Sequence, residues 1–273
     1  MTDVRFVKMQ GNGNDFVIID EFKKIKIKER RNFAIQACDR RFGIGADGVL
    51  FISKSSAADI KMELFQPDGS EAEMCGNGIR CLVTYAINSG YIPRGKVTVE
   101  TKAGVLGVKA KTGSVVVDMG VPKFARCDIP AKGAEGHFIE SMCGHVVSAV
   151  NTGVPHAVIF VDDLDIDILD VAPKIRFDPI FPQGTNVDFV KVDGNTLLVR
   201  TYERGVEFET LSCGTGAVAS AVVANQMGLV GSVVKVKTRG GALKIILKDG
   251  RVFMEGPAEM VFKGIYQISA HKR

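Results

Sequence analysis

The chain has no tryptophan, and its aromatic residues are 16 Phe and 4 Tyr among 273. That scarcity argues against an aromatic stacking platform for nucleic-acid bases. No run approaches the ~18 consecutive apolar residues of a membrane span. The opening Met1-Thr2-Asp3-Val4-Arg5-Phe6-Val7-Lys8 holds no apolar signal core. A soluble, cytoplasmic protein with no membrane partner is therefore expected. Charge of one sign is lacking too. Lys and Arg number 35 against 31 Asp and Glu, a surplus of +4, and the basic residues are scattered, so no nucleic-acid partner is expected. The densest basic run, residues 23–31, reads as a solvated loop and a helix start. No Cys-x-x-Cys occurs among the six cysteines, which leaves no zinc pattern. In a reducing compartment they are expected as thiols. At 46% hydrophobic and 24% charged residues the composition is that of a globular protein.

Glycine is what the chain has in excess, at 30 residues, and its placement exposes an internal repeat. Gly11 and Gly153 each precede a strand-like run at a spacing of 142. Gly43 leads through Asp47 into one apolar run, and Gly184 through Asp188 into another, at 141. Cys75-Gly76-Asn77-Gly78 returns as Cys213-Gly214-Thr215-Gly216 at 138. Gly90 matches Gly228, Thr101-Lys102-Ala103-Gly104 matches Thr238-Arg239-Gly240-Gly241, and Gly113 matches Gly250. A period of about 140 is too long for a solenoid unit, so each copy is read as a domain.

Each copy is mostly short strands bounded by Gly or Pro. Helices are expected at residues 28–41 and 76–89 of the first copy and at 167–175 and 214–227 of the second. The helices after the cysteines stop at Gly90 and Gly228, as left-handed C-caps. Ile79, Leu82, Val83, Ala86 and Ile87 form one apolar face on the first of these. The second, through Ala217-Val218-Ala219-Ser220-Ala221-Val222-Val223-Ala224, is apolar nearly all round and should be buried. The fold class is thus α/β, more closely α+β: two pseudosymmetric lobes from a duplication, each a mostly antiparallel curled sheet around a central helix. The expected division is residues 1–120 and 121–263, with the active site in the cleft between the lobes.

Each copy sets one cysteine before Gly-x-Gly and a helix. Unpaired amides and the helix dipole favour thiolate there, and could also hold a carboxylate. A free thiol pKa of ~8.5 can then fall toward neutrality. Two such groups facing one carbon suit inversion of a stereocentre, one thiolate removing a proton and the opposite thiol supplying one. The pair titrates as a unit. Cys38, Cys81, Cys127 and Cys143 read instead as buried small hydrophobes. Gly43-Ile44-Gly45-Ala46-Asp47-Gly48 matches the dinucleotide fingerprint but precedes a strand, so no NAD site is expected. Nothing in the pattern requires pyridoxal phosphate, and no cofactor or metal is expected.

These residues resemble the diaminopimelate epimerase family. The resemblance rests on residues 8–16, 43–48 and 68–81 of the first copy. In the second it rests on 151–158, 185–189, Tyr202-Glu203-Arg204-Gly205 and 209–217. It implies a cofactor-independent isomerase that interconverts L,L-2,6-diaminopimelate and the meso form, for lysine and, in bacteria, peptidoglycan. It also implies lobes that close on substrate, a homodimer, and a C-terminal segment, about residues 264–273, that returns to the first lobe. By the resemblance, Cys75 and Cys213 are the acid/bases, tuned by His156 and Glu203. Gly76, Asn77, Gly214 and Thr215 hold the reacting carboxylate. Asn14 and Asn186 contact substrate polar groups, Arg204 binds a carboxylate, and Glu203 an ammonium.

Two positions depart from the family pattern. Gln66 stands where many members have Asn, which moves an expected substrate amide outward by one methylene. Val154 replaces the Asn of Asn-Pro-His, so that contact is lost or passes to another residue such as Asn151. The closest alternative function is a cysteine-pair racemase of another amino acid, such as proline or hydroxyproline. An inactive amino-acid-binding protein and an interaction scaffold are the other classes.

Overall fold

The computed structural model describes residues 2–23 and 27–268. The chain divides into two compact units, Met1–Val117 with Gly256–Arg273, and Asp118–Glu255. The first opens with strands β1 (Thr2–Gly11) and β2 (Asn14–Asp20), then helix α1 (Arg30–Cys38). Strands β3 (Gly48–Ser53), β4 (Ile60–Phe65) and β5 (Glu71–Ala72) precede helix α2 (Gly76–Asn88). Strands β6 (Gly95–Thr101), β7 (Gly104–Ala110) and β8 (Val115–Gly120) follow. The second unit runs β9 (Phe138–Met142), β10 (His145–Asn151), β11 (Pro155–Phe160), α3 (Ile168–Arg176), β12 (Asn186–Asp193), β13 (Thr196–Glu203) and β14 (Phe208–Thr210). It continues with α4 (Gly214–Gln226), β15 (Val233–Thr238), β16 (Gly241–Lys248) and β17 (Arg251–Gly256). The last strand, β18 (Glu259–Ile268), belongs to the first unit.

The two units repeat one pairing scheme. In the first, β18–β1–β2 is antiparallel, β2–β3 and β4–β6 are parallel, and β3–β4, β4–β5 and β6–β7–β8 are antiparallel. In the second, β9–β10–β11 is antiparallel, β11–β12 and β13–β15 are parallel, and β12–β13, β13–β14 and β15–β16–β17 are antiparallel. Only the first strand of each set differs in origin. β9 precedes β10 in the chain, whereas β18 arrives from the far end to pair along β1 from Gln10↔Glu259 to Thr2↔Ile268. The C-terminal return therefore starts at Gly256, earlier than residue 264, because β18 needs ten residues to match ten-residue β1. Residues 269–273 of the expected segment lie outside the described residues. So do residues 24–26 of the basic run.

Helix α1 starts at Arg30 and stops at Cys38, shorter than expected, because Asp39 turns extended at ψ 121°. The two long helices end as Schellman caps. Gly90 (φ +75°) and Gly228 (φ +72°) take the left-handed conformation, and Tyr91 and Leu229 amides reach back to the Ala86 and Ala224 carbonyls. Helix α4 is buried from Gly216 to Ala224, in keeping with its all-round apolar sequence. Strands β11 and β12 of the second unit bury both faces. On β11, Val158 packs in the α4 cluster and Ala157 and Ile159 in the α3 cluster; on β12, Val190 and then Val187 and Phe189 divide the same way. Such strands read as continuous apolar runs. Cys38 and Cys81 are buried, but Cys127 and Cys143 are exposed, contrary to expectation. Cys143 (φ +50°) and Gly144 (φ +79°) form the two-residue turn of the β9–β10 hairpin, where burial has no partner.

Candidate active site

Both cysteines are the N-caps of their helices. Cys75 is extended (φ −144°, ψ 117°) and its sulfur accepts the Gly78 amide at 3.5 Å. Cys213 (φ −108°, ψ 114°) accepts the Gly216 amide at 3.4 Å. Thiol sulfur thus fills the place usually held by a Ser, Thr, Asp or Asn oxygen. The first-turn amides of Gly76 and Asn77, and of Gly214 and Thr215, start beside a sulfur. These are the groups a helix leaves without intrahelical partners and with partial positive charge.

Around Cys75, Asn14 at the start of β2 places its Oδ1 3.7 Å from the sulfur and 3.2 Å from Asn77 Nδ2. Asn14 Nδ2 donates to Asp47 Oδ2 at 2.7 Å, which fixes the amide. Asp47 is held in turn by Arg40 at 2.6 Å, and Arg40 also grips Asp15 through two nitrogens at 2.8 and 3.1 Å. Lys8 completes the pairing with Asp15 at 2.7 Å. Burial raises the Asp15 carboxyl, but its bonds to Arg40 and Lys8 prevail and hold it at about 2.

Arg80 is a residue the sequence reading did not single out. It is fully buried one turn into α2. Its guanidinium donates to Asn77 Oδ1 at 2.8 Å, Asn12 Oδ1 at 2.7 Å and the Pro257 carbonyl at 3.1 Å. It thereby orients Asn77 so that the amide nitrogen faces Asn14. The signal was present, since an arginine inside an apolar helix face needs several acceptors.

Around Cys213 the polar groups come from three adjacent strands. The β11–β12 register sets His156 opposite Asn186 and Val158 opposite Asp188; the β12–β13 register sets Asp188 opposite Thr201. Side chains alternate along a strand, so His156, Asp188 and Thr201 share the α4 face with Val158, Val190 and Val199. His156 and Asp188 are fully buried, with Nδ1 to Oδ2 at 2.7 Å. His156 Nε2 lies 2.9 Å from Thr215 Oγ1, which lies 3.3 Å from Cys213 Sγ. Thr201 donates to Asp188 Oδ1 at 2.7 Å. Close packing leaves no room at Gly216, where a Cβ would stand 2.4 Å from Asp188 Oδ1.

The environment of Cys213 runs against the expected lowering of its pKa. Burial pushes the thiol well above its ordinary value, and the charges of Glu203 and Asp188 push the same way; the Gly216 amide opposes, as Thr215 does only when its hydroxyl donates to the sulfur. Only 6% of the residue is exposed, so the desolvation of a thiolate outweighs the helix terminus.

Asn186 is buried and its amide is committed: Nδ2 donates to the Pro155 carbonyl at 2.9 Å and Oδ1 accepts the Arg204 amide at 2.8 Å. Arg204 Nη1 donates to the Gln183 carbonyl at 2.9 Å. Burial and the neighbouring Arg176 lower the Arg204 pKa, opposed by Glu207, so an incoming anion would be favoured there. Glu203 ends β13. Gln66 lies exposed in the turn after β4, with its carbonyl accepting the Gly69 amide. The Asn151 side chain bonds the Asp128 carbonyl at 2.7 Å and the Gly153 amide at 2.9 Å.

A family model described as diaminopimelate epimerase matches residues 6–125 and 148–261. A diaminopimelate epimerase of Methanothrix thermoacetophila is 54% identical over 97% of this chain and 96% of its own. One of Archaeoglobus fulgidus is 52% identical, covering 97% of each. Among solved structures, a PhzF-family phenazine biosynthesis protein of Bacillus anthracis superposes with a TM-score of 0.73 at 16% identity, over 98% of this chain and all of the other. A hydroxyproline epimerase of Agrobacterium vitis does so with 0.69 at 18% identity, over 97% and 92%. Those two distant structures share the fold. The family model spans the cysteine helix of both units, and identities above 50% extend along nearly the whole length; the chain belongs to the diaminopimelate epimerase family.

Proposed function

We propose that this chain interconverts L,L-2,6-diaminopimelate and meso-diaminopimelate without a cofactor, in lysine biosynthesis. The carrying observation is that each unit presents a cysteine as the N-cap of its long helix, in a chain of this family. Cys75 and Cys213 act as acid and base on one α-carbon, one sulfur taking the proton while the other supplies one.

An α-proton beside an amine and a carboxylate is weakly acidic, and the negative charge that develops must be carried by the carboxylate. The amides of Gly76, Asn77, Gly214 and Thr215 are preorganised donors for that group. Losing one such donor typically costs ~3 kcal/mol in the transition state. Arg204 binds the distal carboxylate through its planar fork, and Glu203 takes an ammonium. Asn14 and Gln66 meet further polar groups of the substrate. Asn186 assists by fixing the Arg204 backbone, and His156 and Glu203 tune the thiols. The protein works as a homodimer in the cytoplasm, which sedimentation and fractionation would check.

Proton NMR of the reduced protein with L,L-diaminopimelate in deuterated water tests the reading. Loss of the α-proton signal with growth of the meso isomer is expected. Folded, reduced protein that shows neither would refute the substrate assignment, and the same assay with L-proline or hydroxyproline would then decide for the racemase reading.

A further inference from the structure

Three strands converge on Cys213 through a chain of hydrogen bonds whose directions can be worked out. Asn186 fixes the starting point. Its Oδ1 accepts the Arg204 amide and its Nδ2 donates to the Pro155 carbonyl, so the NH₂ end is unambiguous. That NH₂ lies 3.4 Å from His156 Nε2. A neutral ring carries one N–H, and the Asn186 NH₂ beside Nε2 favours the lone pair on that nitrogen. The ring proton is then on Nδ1, pointing at Asp188 Oδ2 at 2.7 Å, and a carboxylate only accepts. Asp188 is held for this by Thr201, which donates to its other oxygen.

The rest of the chain follows. With Nε2 an acceptor, the Thr215 hydroxyl donates to it at 2.9 Å. A hydroxyl has one proton, so Thr215 meets Cys213 with a lone pair, and the sulfur must donate across 3.3 Å. The Gly216 amide occupies the sulfur as acceptor. We propose that Asp188 is a positioning residue for this reaction: through His156 and Thr215 it holds Cys213 as a hydrogen-donating thiol in the resting protein. This rests on the epimerase reading for its consequence, but the hydrogen-bond polarity stands independently of substrate.

The groups facing Cys213 are Glu203 from β13, Asp188 from β12, His156 from β11, and Thr215 and Gly216 from its own helix. Both carboxylates oppose a thiolate. An imidazolium at His156 would do the reverse, because its Nε2–H would turn the Thr215 proton toward the sulfur.

The test is nitrogen NMR of the full chain labelled with ¹⁵N-histidine, with His156 assigned by its loss in His156→Asn. A protonated Nδ1 and a bare Nε2 are expected near neutral pH without substrate. A proton on Nε2, or on both nitrogens, would overturn the proposal. In Asp188→Asn the tautomer should reverse and the alkaline limb of kcat/KM should move down by about one pH unit. A folded Asp188→Asn with both unchanged would leave Asp188 a structural residue only. If that variant does not fold, Thr215→Ala should shift the limb and Thr215→Ser restore it; equal limbs in both would overturn the proposal. Absence of epimerisation by the wild type would refute the functional reading and leave the tautomer result standing.

Discussion

Asn14 in the first unit occupies the place of His156 in the second. Each lies 2.7 Å from a carboxylate, Asp47 or Asp188, at equivalent points of the repeat. Each then reaches the second residue of a helix, Asn77 at 3.2 Å or Thr215 at 2.9 Å, beside the capping cysteine. The duplication has kept the path from carboxylate to sulfur while changing the group in the middle. An amide cannot titrate and an imidazole can, so the two cysteines sit in chemically unequal surroundings.

Replacing either cysteine should abolish inversion. For Cys75→Ala and Cys213→Ala we expect a loss of at least ~10²–10⁴-fold, the usual contribution of a positioned acid or base. Formation of the meso isomer is the readout. Full turnover by one single variant would refute the two-base assignment.

Cys213 should be a sluggish nucleophile. Burial raises its thiol, with Glu203 and Asp188 adding to the effect. Alkylation in a Cys75→Ala background, followed by peptide mass mapping, should rise with a midpoint above the ~8.5 of free cysteine. A midpoint near neutrality would show that the helix terminus prevails over burial.

Acid should weaken the first unit through Asp15. Burial raises this carboxyl, but Arg40 and Lys8 bring it down to about 2 in the folded state, against ~3.9 unfolded. Its contribution to stability is complete above the unfolded value and disappears as the pH falls through the folded one. Urea midpoints of wild type and Asp15→Asn, taken from about pH 7 to about pH 2, should differ at the upper end and converge at the lower. A constant difference would contradict the assignment.

Gly216→Ala should disturb the second unit's relay. The added Cβ would stand 2.4 Å from Asp188 Oδ1 and 3.0 Å from Thr201 Oγ1, so the carboxylate must move. A misplacement of that order costs about 10² in rate. Near-normal kcat in the folded variant would show that Asp188 has room to yield.

Arg80→Ala would leave buried acceptors at Asn12 and Asn77 and the Pro257 carbonyl without their donor. Each costs ~1–3 kcal/mol, together ~3–9 kcal/mol, so a Tm lower by at least about 6 °C is expected. Arg80→Lys should not restore it, because one ammonium does not span three directions. Full recovery by lysine would argue for charge alone.

The sequence by itself determined the duplication, the two cysteines at helix starts, the glycine stops at Gly90 and Gly228, and the core character of α4, because spacing and local backbone chemistry carry those. It misplaced Cys127 and Cys143, whose exposure depends on where the connecting turns fall. It also underrated burial at Cys213. What only the tertiary structure decided is the company each sulfur keeps. His156, Asp188 and Thr201 are distant in sequence, and they meet because parallel and antiparallel registers place them on one sheet face under the start of α4. A one-residue change of register would send those side chains to the other face. Arg80 is similar: its three acceptors come from the turn after β1, from its own helix and from the segment before β18, a convergence that no local pattern encodes.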